Sequence, residues 1–248
     1  MADEATWRDR IQVGMRLEDS VRLLPGYIRE ALGTIIYPQD NGLQLSRDLI
    51  ESKTTSYTDG TVKDSICAHA YTIRPANDCE ENCIRGAGGT PGVSMTMTSL
   101  RAEHFRVFVA VVLMDVLTKV HGHETISRHH HYTDSKSVIL RVENEEYMAD
   151  KKYDSTDYDI WKETIDAIEQ ANYIIFEFRH VKGHQRETLL NVKKELGPLT
   201  REATYNDWCD IAAEIEREDH QVPVQLCYIN AAKVYLKNST NIGHRIII

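Results

Sequence analysis

The chain has 248 residues, 42% hydrophobic and 27% charged, with a formal net charge of −9 at pH 7. That length allows one large core with appendages, and no apolar run reaches the ~20 residues needed to span a bilayer. The acidic balance argues against a chain that tracks a phosphate backbone through Lys and Arg, unless carboxylates gather at a divalent-metal site that offsets their charge.

The opening segment "MADEATWRDRIQ" is charged from its third residue and lacks the apolar core of a secretion signal, which predicts an intracellular protein, cytoplasmic or nuclear. Val13, Leu17, Val21 and Leu24 then recur at helical spacing, Pro25-Gly26 stops the pattern, and a second short pattern covers Ile28 to Ile36. Residues 1–50 are thus expected to form a helical N-terminal extension on the main body.

From 54 to 74, "TTSYTDGTVKDSICAHAYTIR" reads as short strands around an Asp-Gly turn. Residues 77–97 are rich in glycine and turn formers and pass into a Thr/Met alternation that predicts a further strand. The stretch 99–120 has apolar residues at helical spacing, with Ser99 as its expected N-cap. A strand into Asp134, helices over 135–146 and 157–171, a strand over 173–181 and a helix over 200–217 capped by Thr200 complete the order. Residues 219–248 return to strand-like runs, expected as a β-rich tail with a small hairpin.

The five cysteines, Cys67, Cys79, Cys83, Cys209 and Cys227, are odd in number and thinly spread, which predicts reduced thiols. Cys79 and Cys83 lack the second close pair that a structural zinc site needs.

Four acids stand where this order brings elements together: Asp59 in or at the end of the first strand, Glu103 early in the long helix, Asp134 after the fourth strand and Asp210 in the last helix. Ligands of open α/β sheets gather at the carboxyl ends of strands, and acids meeting there repel unless a cation lies between them. A divalent cation is the expected explanation for such a cluster.

"YTDGT" at 57–61, "SLRAE" at 99–103, "YTDSKSV" at 132–138, "HVKGHQ" at 180–185 and "NDWCDIAAE" at 206–214 resemble, in order, the five signature segments of type 1 ribonuclease H. "DGTVKD", "RHVKGHQ" and the later "VPVQLCYIN" are similar to ribonuclease H domains associated with eukaryotic reverse-transcriptase retroelements. The resemblance implies an RNase H-like three-layer α/β fold, with a mixed five-stranded sheet flanked by helices, over residues 51–218. It implies a metal-dependent endoribonuclease that hydrolyses the RNA strand of RNA–DNA hybrids, with a reverse transcriptase or other retroelement protein as a further partner and no membrane. The alternative is a catalytically silent module of the same fold that binds nucleic acid or a protein.

Carried over by residue, the resemblance makes Asp59, Glu103, Asp134 and Asp210 the ligands of two Mg²⁺ ions, for which Mn²⁺ can substitute, and His184 the catalytic loop histidine. Two such ions about 4 Å apart hold the attacking and leaving oxygens of an in-line displacement. Gly60, Thr61, Arg101, Gln185 and Asn206 are candidate readers of the hybrid, and Lys63, Lys136, Arg179 and Lys182 candidate phosphate contacts. The chain departs from the compact pattern in two connections: extra residues between Glu103 and Asp134, and 26 positions between His184 and Asp210.

"HHHYTD" at 129–134 raises a separate question. Strand alternation sends His130, Tyr132 and Asp134 to one face and His129, His131 and Thr133 to the other, so no single metal collects all three rings. Buried in a central strand, these histidines are expected to be neutral and hydrogen-bonded, and acid should then destabilise the sheet.

Overall fold

The period-2 runs of the sequence assemble into one mixed sheet. The computed structural model describes residues 4–91, 98–144, 157–183, 199–219, 234–236 and 244–246. Strands β1 (Thr34–Ile36), β2 (Thr55–Lys63), β3 (Ile66–Arg74), β4 (Ile84–Gly89), β5 (Ser127–Thr133) and β6 (Ile174–His180) lie in the order β1-β4-β3-β2-β5-β6. The first four in that order run antiparallel to their neighbours, and β2, β5 and β6 are parallel.

Six strands therefore stand where five were expected. The additional one, Thr34-Ile35-Ile36, lies inside the stretch read as a second helix-like pattern. Its β-branched residues leave the helix at Leu32 and pair with β4 along Thr34↔Ala87 and Ile36↔Arg85. The Asp-Gly pair is not a turn: Asp59 and Gly60 lie inside β2, and the hairpin to β3 closes at Asp64 and Ser65, both at positive φ. β4 occupies the glycine-rich stretch read as turns. Its Gly86 passes so close to β3 that a Cβ there would stand 2.2 Å from the Tyr71 hydroxyl oxygen. The Thr/Met alternation expected as a strand lies among residues 92–97, outside the described residues.

The helices are α1 (Glu4–Arg10), α2 (Leu17–Arg22), α3 (Gly26–Leu32), α4 (Leu43–Ile50), α5 (Ser99–Val120), α6 (Lys136–Glu143), α7 (Tyr158–Gln170) and α8 (Arg201–Asp219). In α5, 18 of 22 residues are buried. A helix apolar on nearly every side belongs in an interior, and α5 packs between β2 and β3 on one side and α2, α3 and α7 on the other. Its N-cap is Thr98, one residue before the expected Ser99, whose hydroxyl accepts from the Arg101 N–H at 3.0 Å.

Trp7, Leu17, Val21, Leu24 and Ile28 join the same hydrophobic cluster as α5. Arg8 Nε reaches Asp115 on α5 at 2.9 Å, and Asp115 also takes an ion pair from Lys119. The other face of the sheet is covered by α8, where Cys209 and Ala213 meet Tyr57 and Ala70. Val234–Leu236 and His244–Ile246 pair antiparallel as a separate two-stranded sheet. Among the described residues no helix is long and apolar enough to cross a membrane, and Cys67, Cys79, Cys83 and Cys209 are free thiols.

His129 and His131 point to the α5 face and are completely buried, while His130 is partly exposed. Alternate residues of β2 and the residue just before it answer them with hydroxyls. Thr54 Oγ1 meets His129 Nδ1 at 2.9 Å, Ser56 Oγ lies 2.7 Å from His129 Nε2 and 2.8 Å from His131 Nδ1, and Thr58 Oγ1 lies 3.2 Å from His131 Nε2. The rings thus form a polar ladder inside the core, edged by Phe176 and Phe178 of β6. His69 on β3 is also completely buried and bonded, 2.9 Å from the Ala31 carbonyl.

Burial holds these imidazoles neutral: it lowers His69 to about 4 and His129 to about 3, pushes His131 well below its usual value, and lowers the buried His104 to about 3. A folded pKa below the unfolded value of about 6.5 gives stability that is complete above that pH and lost as pH falls toward the folded values. Each histidine contributes about 1.4 kcal/mol per pH unit there, so four together give roughly 5.5 kcal/mol per unit. Urea unfolding midpoints measured from pH 8 to pH 4.5 should fall steeply below about pH 6.5, and a flat profile would refute neutral buried rings. Ser56→Ala, which strips one partner from each of two buried rings, should cost about 2–3 kcal/mol at pH 7.5. A loss under about 0.5 kcal/mol in the same unfolding measurement would deny the ladder a structural role.

Candidate active site

Four acids arrive from four elements. β2 carries Asp59, α5 carries Glu103, the turn after β5 carries Asp134, and α8 carries Asp210. Three local devices fix them. The Thr98 cap sets where α5 begins, and hence where Glu103 stands one turn on. Ser135 caps α6, with its hydroxyl accepting from the Val138 N–H, and so fixes the turn after β5 that holds Asp134. Buried Cys209 lies with its sulfur 3.3 Å from the Tyr57 carbonyl, tying the Asp210 turn of α8 to β2.

Backbone pairing between β2 and β5 runs from Thr55↔His130 to Tyr57↔Tyr132. Beyond the last pair, the guanidinium of Arg106 joins the two strands. Its Nη1 donates to Asp59 Oδ1 at 2.7 Å, and its Nη2 donates to Thr133 Oγ1 at 2.6 Å, to Asp134 Oδ1 at 2.9 Å and to Glu103 Oε2. Arg106 is completely buried, whereas the side chains of Glu103 and Asp134 keep 16% and 18% exposure. The cluster is therefore sealed at the guanidinium and reaches solvent in part at Glu103 and Asp134.

Burial raises Asp59 to about 6; Arg106 pulls it down, and the charges of Asp134 and Asp210 push it up. Asp59 Oδ1 also accepts from the Gly60 N–H at 2.6 Å, and Oδ2 accepts from Asn206 Nδ2 at 3.3 Å. The start of the "KGHQ" loop lies against the site, since a Cβ on Gly183 would stand 2.4 Å from Asp134 Oδ2. His184 and Gln185 lie outside the described residues.

The sequence-predicted substrate contacts divide. Asn206 is buried against Asp59, and Gly60 and Thr61 are half-buried on β2, the Thr61 hydroxyl donating to Glu214 at 3.0 Å. Arg101 is turned away: its guanidinium is buried and clamps Asp159 of α7 with two bonds of 2.9 Å. Lys63, Lys136, Arg179 and Lys182 are exposed. Tyr132 stacks on Tyr57 at 5.0 Å beside Asp59's strand.

The donor chemistry of four carboxylates suits a hard divalent ion. The arrangement does not, because Arg106 already holds three of them, and among the described residues no three His, Cys, Asp or Glu gather closely enough to bind a metal. A dication about 4 Å from the guanidinium would be repelled by on the order of 8 kcal/mol at an effective dielectric constant of about 20. Sequence reasoning passed over Arg106 as part of an apolar helix. The signal was present: an arginine one turn after Glu103, on the same helical face, within "HFRVFVAVV".

No protein-family model and no curated protein matches the chain. Among solved structures it is similar to RNase H1 from the halophilic archaeon Halobacterium salinarum, at 16% identity over 67% of this chain and 98% of that one, with a TM-score of 0.41. It is also similar to the foamy viral protease-reverse transcriptase in complex with RNA/DNA hybrid, at 15% identity and a TM-score of 0.43 over 69% of this chain, a match that spans 21% of that chain. A third likeness is to an N-terminal RNase H domain from Mycobacterium tuberculosis, at 10% identity over 68% of this chain and 95% of that one, with a TM-score of 0.38.

A carboxylate raised from 3.8 to about 6 by folding is favoured protonated. Its contribution to stability is complete below the unfolded pKa and is lost as pH rises through about 6, opposite in sign to the histidines. Asp59→Asn keeps an acceptor for Arg106 and removes that penalty. It should therefore stabilise the fold at pH 7.5 by up to about 3 kcal/mol, with the gain gone near pH 4. Lower stability of this variant at pH 7.5 in urea unfolding would contradict the assignment.

Proposed function

We propose that the chain is an RNase H-like endoribonuclease that hydrolyses the RNA strand of RNA–DNA hybrids, leaving a 5′-phosphate and a 3′-hydroxyl, and that it derives from a retroelement. One observation carries the reading: Asp59, Glu103 and Asp134, far apart in sequence and each inside a ribonuclease H-like motif, converge on a single point, with Asp210 close enough to act on Asp59. Independent turns, helix starts and loops do not bring acids together beside a pair of parallel strands. Mg²⁺, replaceable by Mn²⁺, is the cofactor this reading requires. Its entry means that the carboxylates give up contacts to Arg106.

That requirement favours a second reading for a specific reason. Because Arg106 compensates the acids within the chain, the domain can hold its shape without metal and act as a silent module that binds the hybrid. The exposed Lys63, Lys136, Arg179 and Lys182 are the groups offered to phosphates in either case.

A labelled RNA–DNA hybrid, double-stranded RNA and duplex DNA, each incubated with Mg²⁺ or Mn²⁺, separate the two. The nuclease reading expects cleavage of the hybrid alone, reduced about a hundredfold or more by Asp134→Asn. Hybrid retained in a mobility-shift assay but uncut with either metal selects the silent module. Cleavage unaffected by Asp134→Asn removes the site from consideration.

A further inference from the structure

We infer that Arg106 is the resident cation of this carboxylate centre, so that the natural chain binds divalent ions only in competition with its own side chain, and removing the guanidinium creates the metal site. Three observations carry this. The guanidinium bonds carboxylates from three elements at once, Asp59, Glu103 and Asp134, with Thr133 as a fourth acceptor. Its Nη atoms make all of these bonds, and its Nε, equally buried, has no partner among the described residues, so the fork is aimed at the acids and serves nothing else. Finally, Arg106 is completely buried in a helix whose neighbouring turns are apolar, where an arginine persists only if its charge is answered.

Arginine keeps its charge in proteins. The competition is therefore set by side-chain geometry and by ion concentration, and pH does not relieve it. Glu103, three residues before Arg106 on α5, has Oε2 taken by the guanidinium, as Asp59 and Asp134 each have one oxygen taken.

The inference deepens the proposed nuclease centre and rests on that reading only for its consequence for cleavage; metal binding tests it alone. Free Mn²⁺, followed by electron paramagnetic resonance, is titrated with the full chain, with Arg106→Met and with Arg106→Met/Asp134→Asn. The expected result is weak Mn²⁺ binding by the natural chain, at least tenfold tighter binding by Arg106→Met, and loss of that gain in the double variant. Equal affinity of the natural chain and Arg106→Met, or a gain that survives Asp134→Asn, overturns the inference.

Should Arg106→Met fail to fold, Glu103→Gln in the natural background decides. Mn²⁺ affinity within twofold of the natural chain supports a Glu103 already taken by Arg106, and a tenfold loss overturns it. Hybrid cleavage is read in the same samples. Mn²⁺ affinity that rises as stated without any cleavage by either chain supports the resident cation and removes the nuclease reading, so the two fail separately.

Discussion

A guanidinium removed from water costs several kcal/mol unless its charge and its N–H groups are answered, and leaving one unanswered is worse than never burying it. Arg106 therefore constrains four places together: β2 at Asp59, α5 at Glu103, the last residue of β5 at Thr133 and the following Asp134. The reverse constraint is as strong. Burial first, and then the charges of Asp134 and Asp210, raise the Asp59 carboxyl to about 6 even with the arginine in contact. Cation and anions hold one another in place where backbone pairing between β2 and β5 has ended.

Just behind that point the parallel half of the sheet is held by an unusual layer. Where aliphatic side chains would be expected, Thr54 just before β2 and Ser56 and Thr58 on it interleave with His129 and His131 on β5. The hydroxyls can donate to one ring and accept from the next, so each imidazole stays neutral and bonded, and the layer keeps the registry of the two strands that carry Asp59 and, just past the end of β5, Asp134. The same arrangement ties the site to pH, since protonating a buried ring places a second cation close behind Arg106, whose charge already helps to lower His131 and His69.

The remaining contacts bring α8 and the N-terminal helices into the same frame. Small residues Cys209 and Ala213 let α8 approach Tyr57 and Ala70, which carries Asn206 and Asp210 toward Asp59. On the opposite face α5 is walled by α2, α3 and α7 and pinned to α1 through Asp115 and Arg8. The helix that supplies both Glu103 and Arg106 thus has little freedom to rotate.

Much of this was legible in the residues. The helices over 99–120, 158–170 and 201–219 and the strand β6 follow from apolar periodicities, reinforced in the first and last helix by the Thr98 and Thr200 caps. The alternation of "HHHYT" correctly separated His129 and His131 from His130. The short and the glycine-rich strands were not legible. β1 is three β-branched residues that become a strand only because β4 is there to pair with, and β4 spends glycines where β3 comes too close for side chains. By itself the sequence determined which acids are present, on which elements, and which side chains share a face, because those are properties of local periodicity. What occupies the middle of the cluster, and which hydroxyls satisfy the histidines, only the tertiary structure decided, because Arg106, Asp59 and Asp134 meet across contacts of 28 to 47 residues that no local pattern encodes.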